Sequence, residues 1–141
     1  MTREPSRRQA RRLALDALYQ ADITHTPGPD VLADWEVAGR EIPPFTRDLV
    51  EGVTQHLAEI DRTIGEIAEG WRVERMPSLD RTILRIATFE LIFPGDVPPG
   101  PAIDEAVRAA KELSTEDSGR FVNGVLGRIA RASSAGSDEP R

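Results

Sequence analysis

Leu79-Asp80-Arg81-Thr82-Ile83-Leu84-Arg85-Ile86-Ala87-Thr88-Phe89-Glu90-Leu91-Ile92-Phe93 is the stretch on which the fold turns. Its apolar residues lie nearly all round a helix, with Leu79, Ile83, Leu84, Ile86, Ala87, Phe89, Leu91, Ile92 and Phe93 leaving little polar face. A helix of that kind is buried on several sides, so it is expected at the centre of the molecule, capped by Ser78. Glu90 falls on its Ile83/Ala87 side, where a lone charge is costly. It is expected as a buried or half-buried carboxylate hydrogen-bonded to another helix.

The elements on either side read as helices divided by proline and glycine. Towards the C-terminus, Pro94-Gly-Asp-Val-Pro-Pro-Gly-Pro101 is expected to be non-helical throughout. Ala102 to Leu113 then forms a helix with Ile103, Ala106, Val107, Ala110 and Leu113 inward. Ser114-Thr-Glu-Asp117 resembles a capping box. A last helix follows to about Ala132, with Val122, Val125, Leu126 and Ile129 inward. Towards the N-terminus, Arg7 to about Ile23 forms a helix capped by Ser6, with Ala10, Leu13, Ala14, Ala17, Leu18 and Ala21 as its apolar stripe. Thr26-Pro-Gly-Pro29 ends it. A short helix from Val31 to about Ala38, capped by Asp30, comes next. Pro43-Pro44 opens a further helical stretch, whose period runs through Leu49, Val50, Val53, Leu57, Ile60, Ile64 and Ile67 to about Glu69. That stretch is either one helix or two with a kink near Glu59. No segment alternates with the period of a strand, so the fold class is all-α, with six or seven helices packed as bundles. Residues 1–132 form one domain, and the small polar residues 133–141 are expected to be a disordered tail.

Composition narrows the function. There are no cysteines, which excludes disulfides, thiolate metal sites and cysteine nucleophiles. No apolar run approaches the ~20 residues of a bilayer span, and the charged N-terminus lacks a signal-peptide apolar region. A cytoplasmic location with no membrane association is expected. The net charge is -6, yet Arg3, Arg7, Arg8, Arg11 and Arg12 against Glu4 give residues 1–12 a balance of +4, leaving -10 for the rest. A basic arm on an acidic body points to a focused anion contact, or else to a solvated helix end. Lys111 is the only lysine, so a preference for arginine carries little functional information here.

Little of the sequence supports catalysis. His25 and His56 have no partner at metal-ligand spacing and read as surface histidines. No phosphate-binding glycine turn or G-x-S-x-G nucleophile elbow is present. The carboxylate pairs Asp104/Glu105 and Glu116/Asp117 sit at helix starts, where capping explains them. No catalytic residue, metal or cofactor is therefore expected.

Two features point to binding. Arg7/Arg11 and Arg8/Arg12 are i, i+4 pairs, making two basic ridges along the first turns of the first helix. Cations at a helix N-terminus oppose the helix dipole, which favours a phosphate partner over a purely structural role. On the last helix, Asp117, Phe121, Gly124 and Arg128 share a face beside the Val122/Leu126/Ile129 stripe. There Phe121 either tucks into the core edge or stands open to stack on unpaired RNA bases.

Three blocks of this sequence resemble the NusB family. Arg7-Arg8-Gln-Ala-Arg11-Arg-Leu-Ala-Leu-Asp-Ala-Leu-Tyr19-Gln is similar to the family's basic first helix, and Leu79-Asp80-Arg-Thr-Ile-Leu84-Arg85-Ile-Ala-Thr-Phe-Glu90-Leu to its central helix. Ala102-Ile-Asp-Glu-Ala-Val followed by Glu116-Asp117-Ser-Gly-Arg-Phe121-Val-Asn123-Gly124-Val-Leu126 is similar to its C-terminal signature. The blocks come in family order and span about residues 6–131. The resemblance implies two small helical bundles and a transcription antitermination factor without catalysis. It implies binding of the boxA element of nascent ribosomal RNA leaders. The implied partner is NusE, a small-subunit ribosomal protein, within an antitermination complex on RNA polymerase. By position, Arg7, Arg8, Arg11, Asp117 and Phe121 are implied to face RNA, and Tyr19, Glu74, Asp80 and Arg85 to face NusE. Asp80 stands where some relatives have Glu, which shortens its reach. Residues 24–44 match little. Some family members form homodimers, and the resemblance leaves the oligomeric state open.

A second reading is an RNA-recognition module of a ribosomal RNA cytosine methyltransferase system, since NusB-like domains also occur fused to such enzymes. This sequence carries no βαβ cofactor domain and no cysteine nucleophile, which argues against that reading unless another chain supplies the activity. A third reading, a purely structural oligomerisation module, would carry no RNA affinity.

Overall fold

Seven α-helices and one 3-10 turn make up the regular structure of the computed structural model, which describes residues 6–95 and 98–137, with side chains through Ser133. They are α1 (Arg7–Thr24), α2 (Gly28–Val37), α3 (Pro44–Gln55), α4 (Leu57–Ile67), the 3-10 turn Val73–Arg75, α5 (Ser78–Ile92), α6 (Pro99–Leu113) and α7 (Glu116–Ser137). Among the described residues there is no strand, so the all-α expectation holds. The chain divides into two units, Met1–His56 and Leu57–Arg141. The dividing point answers the question left open by the apolar period. Two helices are present, and the break is at His56 rather than near Glu59, where the backbone leaves helical geometry at φ -109°, ψ 22°.

The first unit packs α1 against α2 and α3. Its core is Ala10, Ala14, Leu15, Ala17, Leu18 and Ala21 from α1, Val31 and Leu32 from α2, and Leu49, Val50 and Val53 from α3. Four of the six α1 residues are alanines, and the absence of longer side chains lets its neighbours approach the backbone. Leu15 was not part of the expected stripe. It is buried because α1 is covered by two helices, whereas Leu13 is only half-buried. Buried Thr46 donates its Oγ1–H to the Ala10 carbonyl at 2.8 Å, tying the first turn of α3 to α1. The second helix starts three residues before the expected Val31, with Pro27 as its cap residue and Asp30 inside the first turn. Proline fits there because first-turn N–H groups have no intrahelical acceptor. Gly28 is required by proximity, since a Cβ on it would stand 2.8 Å from Val50 Cγ1 and 3.0 Å from Leu18 Cδ2.

The second unit packs α5 against α4, α6 and α7, so the Leu79–Phe93 segment is central, as its apolar circumference predicts. It buries Asp80, Thr82, Ile83, Leu84, Ile86, Ala87, Thr88, Glu90 and Leu91. Phe89 and Ile92 are only half-buried and Phe93 is exposed at the C-cap, so the helix is not enclosed on every side. Ser78 is the first helical residue, not the cap. Pro77 takes the cap position, and the Ser78 carbonyl accepts the Thr82 hydroxyl at 2.7 Å. The proline loop also ends sooner than expected. Pro99, Gly100 and Pro101 form the first turn of α6 behind Pro98, where the missing proline N–H costs no bond. Leu113, expected inward, is the last residue of α6 and stands exposed. The last helix runs to Ser137, past the expected end near Ala132 and into the segment expected as a tail. Residues 138–141 of that segment, and Arg3 and Glu4 of the basic arm, lie outside the described residues. Among the described residues, no helix is long and apolar enough to cross a membrane.

Candidate nucleic-acid interface

The basic arm begins on a well-made helix start. Ser6 Oγ accepts the Gln9 N–H at 3.1 Å, and Gln9 Oε1 accepts the Ser6 N–H at 3.0 Å, a reciprocal capping box. No acid occupies the first turn, so Arg7 and Arg8 stand against the dipole. The structure reveals an aromatic partner for Arg7 and Arg11. The Arg7 guanidinium carbon lies 4.1 Å from the Phe45 ring centroid, and that of Arg11 5.4 Å away. Phe45 is the second residue of α3, and the neighbouring Thr46–Ala10 bond sets its register against α1. A guanidinium over a ring gains roughly 0.5–1 kcal/mol at an exposed site and keeps its charge. Phe45 therefore gathers two arginines of the arm without cancelling them. Arg8 is exposed and Arg12 half-buried.

One turn after Arg12, Asp16 modifies the same helix. Its residue surface faces solvent, but neighbouring atoms desolvate the carboxyl and push it above the ordinary carboxylate range, against the opposing pull of Arg12 and Arg40. Arg40 itself lies over the Trp35 ring, 3.9 Å from its centroid.

The second set of residues lies at the start of α7. The helix cap expected at Ser114 falls one residue later, as a single side-chain cap. Thr115 Oγ1 accepts the Ser118 N–H at 2.9 Å, while Ser114 closes α6 and bonds Ser118 through its hydroxyl at 2.9 Å. Asp117 is exposed and pairs with Arg120 three residues on. Phe121 is half-buried, which falls between the two sequence alternatives. It also has an aromatic neighbour, Trp71, with ring centroids 5.7 Å apart and planes inclined by 58°. Arg128, two turns along the same face of α7, donates to the Ile67 carbonyl at 2.9 Å and reaches Glu69 at 3.5 Å.

The four residues implied to face a protein partner differ in exposure. Tyr19 and Glu74 are exposed, and Glu74 lies 4.0 Å from Arg72. Asp80 is buried in the second unit, with Oδ2 accepting the Ser118 hydroxyl at 3.0 Å and Oδ1 enclosed without a hydrogen-bond partner. Arg85 is mostly enclosed and engages Asp61 through two bonds of 2.8 Å. His25 is exposed and adopts a left-handed C-cap conformation, and His56 is a half-buried C-cap. Among the described residues, no group of three or more His, Cys, Asp or Glu side chains could hold a metal. Phe45 and Trp71 are the residues that sequence reasoning missed. Each is a lone aromatic beside a helix boundary, and only packing reveals its neighbours.

Comparison with known proteins agrees with this architecture. The NusB family matches residues 8–131. The transcription antitermination protein NusB of Symbiobacterium thermophilum is 47% identical over 147 residues, covering 95% of this chain and 96% of that protein. Its namesake from Saccharopolyspora erythraea is 49% identical, covering 89% and 86%. Among solved structures, T. maritima NusB superposes with a TM-score of 0.82 at 34% identity, covering 92% of this chain and 93% of that one. A structure of the antitermination factors NusB and NusE with double-stranded RNA gives a TM-score of 0.79 at 28% identity, covering 89% and 96%. With the ordered sequence blocks, the helical architecture and near full-length matches in agreement, this chain belongs to the NusB family.

Proposed function

We propose that this chain is a non-catalytic transcription antitermination factor. In this reading it binds the boxA element of nascent ribosomal RNA leaders, pairs with NusE and joins the antitermination complex on RNA polymerase, which places it in the cytoplasm. The observation that carries the reading is the gathering of Arg7 and Arg11 around Phe45 at a capped helix start, in a chain of net charge -6. A folded acidic protein that orders cations against a helix dipole has a local use for them, and phosphate oxygens are the matching anion. Arg7, Arg8 and Arg11 neutralise phosphates and set affinity and salt dependence. Asp117 and Phe121 contact bases and set sequence preference. The family relationship and the solved NusB–NusE–RNA complex support the assignment of partners.

Tyr19, Glu74, Asp80 and Arg85 form the proposed NusE-facing set. Their exposure divides the work. Tyr19 and Glu74 offer direct contact, whereas Asp80 and Arg85 hold the start of α7 and the side of α4 in place through Ser118 and Asp61. NusE enlarges the RNA surface and raises affinity by linkage.

The test is a titration of labelled boxA RNA, single-stranded and duplex, with the protein alone and with NusE. The reading expects specific binding over a scrambled RNA, strengthened by NusE. Equal affinity for boxA and scrambled RNA under both conditions overturns it.

A further inference from the structure

Trp71 is a large apolar side chain that the second unit leaves 54% exposed, and the surrounding structure holds it in place. The chain leaving α4 makes a tight turn in which the Ala68 N–H donates to Ile64 O at 2.8 Å and the Trp71 N–H to Ala68 O at 3.0 Å. Gly70 enables that turn at φ +80°, a conformation that a Cβ disfavours. Arg128 secures the same turn from α7 through its 2.9 Å bond to the Ile67 carbonyl. Arg128 and Phe121 lie seven residues apart on one face of α7, so one helix face both anchors the turn and carries the ring that meets Trp71.

The charges nearby are balanced. Arg72 lies near Glu74, Arg120 pairs with Asp117, and Arg128 reaches Glu69. Such a patch attracts phosphate weakly and suits the face of a neutral base. Gly124, one turn after Phe121 on the same face, has open space where a Cβ would be. In an exposed helix interior glycine costs about 1 kcal/mol relative to alanine, and here no packing inside the protein requires it. The low profile beside Phe121 leaves room for a flat ligand.

The geometry points to Trp71 as a second base-stacking residue beside Phe121, so that this unit holds two unpaired RNA bases, one on each ring. Ring spacing decides the mode. A base inserted between two rings needs about 7 Å, twice the 3.5 Å contact distance, whereas these centroids are 5.7 Å apart and tilted. Each ring therefore offers its outer face.

This inference rests on the RNA-binding reading, and its test separates the two. In the full chain carrying Trp35→Phe, Trp71 is the one remaining tryptophan. Its emission is followed while single-stranded boxA RNA is added, with filter binding measured in parallel and with duplex RNA and NusE alone as controls. The expected result is quenching by the single strand and not by the duplex or by NusE alone. Trp71→Ala should weaken binding roughly five- to a hundredfold, the range for one stacked base, and Trp71→Phe should retain most of the affinity. The melting temperature of Trp71→Ala should fall by no more than a few degrees, the worth of its ring contact with Phe121, so the fold persists at the temperature of the binding assay. If the RNA binds while Trp71 emission stays constant, or Trp71→Ala binds as tightly as the parent, the stacking role is overturned and the RNA-binding reading stands. Equal quenching by duplex RNA, or quenching by NusE alone, also overturns it. If no variant binds RNA, both fall.

Discussion

Arg85 holds Asp61 with a two-pronged pair, Nε to Oδ1 and Nη2 to Oδ2, each at 2.8 Å, which joins α5 to α4 with both side chains largely out of water. Bidentate charge-assisted bonds of this kind are among the stronger polar contacts in a fold. Asp61→Ala should cost about 2–3 kcal/mol, because it leaves an enclosed guanidinium without its carboxylate. Arg85→Lys should not restore the wild-type value, since an ammonium cannot reproduce the fork. Urea unfolding of both variants and their double mutant measures the coupling. A coupling energy near zero would refute the structural role.

The arm and its ring make separable predictions. Arg7→Ala combined with Arg11→Ala should weaken boxA binding. It should also flatten the salt dependence on single-stranded RNA by about 0.7 log units for each phosphate that is no longer neutralised. Phe45→Leu keeps the apolar bulk and both charges but removes the π-face. It should lower affinity by a few-fold and leave the slope unchanged. Filter binding across a salt series reads both, and an unchanged slope in the double arginine variant removes the arm from the interface.

Two buried threonines test the polar core. Thr46 donates to the Ala10 carbonyl, while Thr88 Oγ1 has no partner in the interior of the second unit. Both are 0% exposed. Thr46→Val should destabilise by about 1 kcal/mol, the net worth of a hydrogen bond. Thr88→Val should be neutral or stabilising by up to about 1 kcal/mol, because it removes an unpaired buried hydroxyl. Thermal melts of the two variants should move in different directions or differ clearly in size.

Asp16 predicts a pH dependence. Its carboxyl titrates above the ordinary range, so the folded state favours the protonated form. Between the unfolded value of about 3.9 and the raised folded value, the native protein binds more protons, and stability falls as pH rises. Asp16→Asn removes that loss. The melting-temperature difference between the variant and the parent should therefore grow in the variant's favour as pH rises through that window and level off above it. A difference that shrinks with rising pH would mean that Arg12 and Arg40 outweigh desolvation.

The sequence alone determined the elements governed by local physics. Ser6 caps α1, the apolar circumference of Leu79–Phe93 makes α5 central, and Val122, Val125, Leu126 and Ile129 form a buried stripe, all because helical period and capping act within a few residues. Proline positions were harder to read, since Pro29, Pro99 and Pro101 begin helices as readily as they end them. Tertiary structure alone decided which neighbours each candidate side chain has. Phe45 reaches Arg7 across 38 positions of sequence and Trp71 reaches Phe121 across 50, and no local periodicity encodes such pairs. Asp80 and Arg85, implied by position to face a partner, are enclosed by packing against Ser118 and Asp61. Period tells which side of a helix is apolar. Only the packing of several helices decides what each side chain touches.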